Sequence, residues 1–191
     1  LRLSRSDLRR NPAMPLTAVS TPAASVTATP SAPAVRLITS VAELAELRGS
    51  WNEVAATCKR RSVFLAHEWF DAAWQWRQAT AQLYVLCYYR SQRLAAVLPL
   101  VVQAAKERGV AVRELTFPDT QWCDVIVAES GAEEAAVAFA TELRRRQGEW
   151  DVLRLKYLGE RSVADSALRM ALAARGFAVR RVEAPGNCFI P

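Results

Sequence analysis

Apolar residues recur with two different periods along this chain, and the changes of period mark its elements. A short β-type run, residues 35–39, is followed by Ser40, which with Glu43 forms a capping box that opens a helix. The apolar positions Val41, Leu44, Leu47, Trp51, Val54 and Cys58 then recur at three- and four-residue spacing and mark one buried face. A second helix is expected from His67 to Thr80, burying Trp69, Phe70, Ala73 and Trp74 and leaving Trp76 out of phase, on the surface. Residues 83–89 and 94–102 are apolar and aromatic runs separated by Arg90-Ser91-Gln92-Arg93, which predicts a hairpin. Pro99 inside the second run cannot donate to a ladder, which predicts a bulge or an edge position.

Residues 110–117 and 124–128 supply more strand, interrupted by the loop 118–123. Ser130 and Glu133 make another capping box, for a helix ending near Gln147-Gly148. A strand over 151–158, a helix started by Ser162 and Asp165 and ended by Gly176, and a strand over 177–182 complete the pattern. The order β-α-α-β-β-β(-β)-α-β-α-β predicts a mixed α/β (α+β) sheet with helices on both faces rather than a doubly wound parallel sheet.

Residues 1–34 are rich in Pro, Ala, Ser and Thr without an aromatic residue, which predicts a disordered leader before a single domain at 35–191. Four of the 25 basic residues and one of the 19 acidic ones fall in that leader, leaving 21 against 18 in the domain. The basic pI therefore comes in good part from the leader, which argues against a nucleic-acid partner. The longest apolar run is nine residues and contains Pro99, far below the roughly 20 needed to span a bilayer as a helix, so no membrane span is expected. Cys58, Cys87, Cys123 and Cys188 form no paired motif and have one histidine, His67, to join them, so no metal site is expected. With no signal-peptide pattern before them, they imply reduced thiols and a cytoplasmic location.

Several short stretches carry a resemblance. Trp51-Asn52-Glu53-Val54, Glu68-Trp69-Phe70 with Trp74, the run from Leu94 through Pro99 to Leu100, the loop Phe117 to Asp124, and Trp150 to Leu155 resemble the N-terminal half of CelD/BcsL-type acyltransferases. These are tandem proteins of the GNAT superfamily of N-acetyltransferases associated with cellulose and exopolysaccharide production. The resemblance covers residues 35–191 and implies a GNAT-like fold. It also implies acetyl-CoA or another acyl-CoA as the cofactor of the whole protein, held by a second, C-terminal GNAT-like domain beyond Cys188 to Pro191. FemAB-type aminoacyl transferases share the tandem architecture and are one alternative. A non-catalytic scaffold of a polysaccharide-synthesis system is another.

A GNAT domain that binds CoA needs bare amides between a strand and a helix start, where pyrophosphate meets the helix dipole. The corresponding stretch here, Ala128 to Glu134, has one glycine and three carboxylates, so none is expected to bind this piece of chain. Arg145-Arg146-Gln147-Gly148 imitates that loop at the wrong end of its helix. Arg144, Arg145 and Arg146 are read as complementing the helix dipole in solvent, and His67 as a surface residue at a helix start. No catalytic residue emerges. Asp119, Gln121, Trp122 and Asp124 gather polar groups and an aromatic platform in one strand-interrupting loop, and are the candidate contacts for a small-molecule or saccharide acceptor.

Overall fold

The computed structural model describes residues 34–118, 123–159 and 161–182. The expected mixed α/β class holds. Strand β1 (Ala34–Ile38) leads into α1 (Val41–Glu46) and α2 (Arg48–Thr57), which are one predicted helix broken at Leu47. Ser40 caps α1 as predicted, its Oγ accepting from Glu43 N at 3.2 Å. Val41 stands on the exposed side of that first turn, against expectation, while Leu44, Leu47, Trp51, Val54 and Cys58 are buried. A 3-10 turn (Val63–Leu65) precedes α3 (His67–Arg77).

Strands β2 (Ala81–Arg90) and β3 (Arg93–Glu107) form the predicted hairpin. Its two turn residues, Ser91 (φ 48°) and Gln92 (φ 64°), both take the left-handed backbone that suits a two-residue turn between twisted strands. A second tight turn at Arg108 and Gly109 reverses the chain into β4 (Val110–Thr116). After the loop come β5 (Ile126–Val127), α4 (Ala132–Arg145), β6 (Val152–Leu153), a π-helical turn (Ala164–Leu168) and α5 (Arg169–Ala174). Gly176, at φ 79°, ends α5 as predicted. Residues 177–182 pair with no strand among the described residues, a correction to the expected last strand.

The strands form one six-stranded mixed sheet in the order β1-β2-β3-β4-β6, with β5 also on β3. All neighbours are antiparallel except β4 and β6, which are parallel. β5 and β4 lie end to end along the same edge of β3: β5 covers Ala96 and Val97, β4 covers Val101 to Glu107. They are two pieces of one strand line, parted over Leu98 to Leu100. Pro99 sits in that interval, where its missing N–H leaves no ladder bond unmade.

Alternation along β2 and β3 sends side chains to two cores. Tyr84, Leu86, Tyr88, Leu98 and Leu100 pack with α4, the π-helical turn and α5 in one core, chiefly Phe139, Leu143, Leu168 and Leu172. Leu83, Val85, Cys87, Val97 and Val101 face Leu44, Trp51, Phe70 and Trp74 of α1 to α3. The sheet is therefore the middle of three layers. Trp51 anchors the second core, its Nε1 donating to Leu65 O at 2.9 Å.

Candidate functional site

Of the acceptor-loop candidates, Asp119, Gln121 and Trp122 lie outside the described residues. Both ends of their loop are tied down. Arg77 Nε from α3 donates to Pro118 O at 3.2 Å. At the far end, Asp124 Oδ1 accepts from Val125 N (2.8 Å), Ala164 N (2.8 Å) and Ser162 Oγ (2.9 Å), and Oδ2 accepts from Val163 N (2.9 Å). A carboxylate has about four acceptor positions. Four donors reach it, three on Oδ1 and one on Oδ2, so Asp124 clamps the loop's end to the start of the last helical segment. Burial pushes its pKa up, outweighing the four donors that hold it down. Ser162 completes the start by accepting from Asp165 N at 3.2 Å, the pairing the sequence predicted.

Leu98 and Leu100, in the interval between β4 and β5, are buried together with Phe117, Cys123 and Val125 in the core on the α4 and α5 face of the sheet. At the end of β5 the chain makes a 3-10 turn (Glu129–Gly131) before α4. Gly131 N donates to Ala128 O at 2.9 Å, and the amide of Ala132 donates to Glu129 O. The Ser130–Glu133 capping box does not form, because the 3-10 turn moves the cap position to Gly131, which has no side chain to offer. Of the three carboxylates, Glu129 pairs with Lys59 (2.5 Å), and Glu134 takes the Tyr88 hydroxyl (2.6 Å) and Arg90 (3.3 Å). A groove of about 520 Å³ runs beside this turn, with Ser50, Glu53 and Thr57 of α2 on one wall and Arg90, Arg93 and Ser130 on the others.

His67 is buried, not at the surface as its place at a helix start suggested. Its Nε2 lies 2.8 Å from Leu44 O and its ring meets Trp51 edge to face, so it joins α3 to α1. The three arginines at the end of α4 are engaged: Arg145 and Arg146 on Glu142, Arg146 also on Glu149, and Arg144 on Gln147 with its guanidinium over Phe177. Cys58, Cys87 and Cys123 are buried and form no disulfide among the described residues, and Cys188 lies outside the described residues. Among the described residues no group of His, Cys, Asp and Glu is placed to hold a metal ion, and no helix is long and apolar enough to cross a membrane.

Sequence reasoning missed one charged cluster. Glu114 in β4 is 2% exposed and pairs with Arg154, whose other nitrogen pairs with Glu107 of β3. Arg113 and Asp151 clamp the same two strands on the other side, at 3.1 Å. The charges are visible in the sequence, but only the parallel register of β4 and β6 brings them together.

No family model matches this chain, and no curated protein matches it. Several solved structures align with it, among them these three. A possible acetyltransferase from Clostridium difficile 630 is 9% identical over 83% of this chain and 98% of its own, with a TM-score of 0.45. A ribosomal-protein-alanine N-acetyltransferase from Brucella melitensis biovar Abortus 2308 is 13% identical over 83% and 99%, at 0.43. An aminoglycoside acetyltransferase from an uncultured soil metagenomic sample is 15% identical over 81% and 99%, at 0.41. Similarity this distant leaves fold and chemistry to be judged on this chain's own geometry.

Proposed function

We propose that this chain is the N-terminal, GNAT-like domain of an acyltransferase of the CelD/BcsL kind, serving exopolysaccharide or cellulose production and working on the acceptor side. In the whole protein an amine or hydroxyl of the acceptor attacks the thioester carbonyl of an acyl-CoA. Backbone amides polarise that carbonyl, and the CoA sulfur leaves with the acceptor's proton. The acyl-CoA belongs to the second domain that the resemblance implies.

The observation that carries this reading is the broken strand line along β3. β4 stays on β3 up to Thr116, with β6 parallel on its other edge, β5 takes up the same edge of β3 at Val97, and the chain between them carries the candidate acceptor contacts. A forked sheet of this kind is where a GNAT domain would seat its acyl donor. Here the described residues that border the fork are apolar and buried in the core, and the helix start beyond it uses its own amides and gathers carboxylates. Both features favour a domain that supports a donor site elsewhere.

Calorimetry of the purified chain with acetyl-CoA tests the reading. No saturable heat is expected. A dissociation constant below about 100 μM, or about −5.5 kcal/mol, would place the donor in this domain and overturn the division of labour.

A further inference from the structure

Helix α3 is apolar on two opposite faces. One buries Phe70 and Trp74, with His67, against the sheet. At about 100° per residue, the opposite face carries Trp69, Ala72, Ala73 and Trp76. Trp76 is 91% exposed, and Ala72 is exposed beside it. Trp69 is half-buried, steadied by Phe64, which meets it edge to face with ring centroids 4.7 Å apart. A surface helix normally shows one apolar stripe. A second, outward one that ends in a bare tryptophan marks a contact surface.

Two features select the occupant. The strip is narrow: two indoles of about 150–250 Å² each, one of them half covered, fall short of the roughly 800 Å² per partner of a stable protein interface. Its flank is polar. A groove of about 310 Å³ runs along it, lined by Arg48, His67, Glu68, Asp71, Ala72 and Gln75. Gln75 Nε2 donates to Asp71 Oδ2 at 3.0 Å, while Arg48 Nε (2.8 Å) and Asn52 Nδ2 (3.0 Å) fix the Glu68 carboxylate. An exposed apolar strip beside a row of fixed hydrogen-bonding groups matches a sugar chain, whose rings have C–H faces and hydroxyl edges.

The geometry points to a glycan-binding strip on α3, at which an extended β-linked oligosaccharide lays rings on Trp69 and Trp76 and turns its hydroxyls to Asp71 and Gln75. Trp69 and Trp76 are seven residues apart, about 10.5 Å along the helix. That is the span of two successive rings in an extended β-linked chain. The strip is separate from the loop at 118–123, and this inference does not depend on where acyl-CoA binds.

The test is a titration of the full chain with cellohexaose, read by tryptophan fluorescence and calorimetry, with α-linked maltohexaose as control. Saturable binding of cellohexaose below about 1 mM and weaker binding of maltohexaose are expected. Trp76→Ala should weaken binding by about tenfold or more, equivalent to about 1.4 kcal/mol, and Trp76→Tyr should restore most of it. Because Trp76 is exposed, neither change should move the melting temperature. Absence of binding at 1 mM, equal binding by the Ala variant, or self-association that disappears with Trp76→Ala would each overturn the proposal, the last by making the strip a protein contact.

Discussion

Replacing Asp124 separates a clamp from a ligand contact. Asp124→Ala removes four hydrogen bonds at once and leaves the amides of Val163 and Ala164, at the start of the last helical segment, without their acceptor. Loss of an ordinary N-cap costs about 0.5–2 kcal/mol. Each bond to a charged acceptor adds about 1.5–3 kcal/mol when its donor stays buried, and water re-entering this half-buried site recovers part of that. We expect about 3 kcal/mol for Asp124→Ala. With an m-value of about 2 kcal/mol/M, the urea midpoint should fall by about 1.5 M. Asp124→Asn keeps an oxygen where Oδ1 takes three donors and sets its NH₂ against Val163 N, for about 1–2 kcal/mol. An Ala variant within about 0.5 kcal/mol of wild type, the range of surface substitutions, would refute the clamp.

The pH dependence adds a sign. Burial raises the folded pKa of Asp124 above the unfolded value of about 3.9. Between those two values the folded state binds more protons than the unfolded state, so this group's contribution to stability falls as pH rises. The Asn variant lacks that titration. The stability difference between wild type and Asp124→Asn should therefore be largest at acid pH and shrink as pH climbs through the folded value. A difference that grows with pH would mean that the four donors, not burial, govern this carboxylate.

Two further predictions concern other buried groups. Burial pushes the Cys87 thiol to about 12, against an ordinary value of about 8.5. At pH 8 its thiolate fraction is then about 1 in 10⁴ instead of about one in four, and native-state labelling by a thiol reagent should be at least about 10³-fold slower than in urea; fast labelling of the folded chain contradicts this burial. Arg154→Met leaves Glu114 buried with only Gln103 near it, at 3.5 Å. The loss should sit toward the low end of about 3–5 kcal/mol because Arg154 is partly exposed, and adding Glu114→Gln should recover much of it; additive losses in urea melts would refute the coupling.

Local chemistry made much of the fold legible. Ser40 and Glu43, the Ser91-Gln92 turn, and Gly176 each act through neighbours a few residues away, and each is found in its predicted role. The same capping pattern at Ser130 and Glu133 misleads because tertiary partners decide there: Glu134 is drawn to Tyr88 and Arg90, and a 3-10 turn takes over the start of α4. His67 was hidden for a similar reason. Its partner is a carbonyl 23 residues away, invisible to any local rule. The candidate loop could be located as a polar interruption between apolar runs. The use of Asp124 could not, because three of its four donors lie 38 to 40 residues downstream, beyond β6.

Pro99 links these observations. A proline in a strand flanked on both sides must sit where its missing donor faces no partner, and Pro99 lies in such a place, the interval between β5 and β4. The chain that leaves the sheet there has to return, and Asp124 fixes its return by capping a segment that follows the far strand, β6. Proline, excursion and clamp are thus one arrangement, in which the loop is anchored to α3 through Arg77 and to the last helical segment through Asp124.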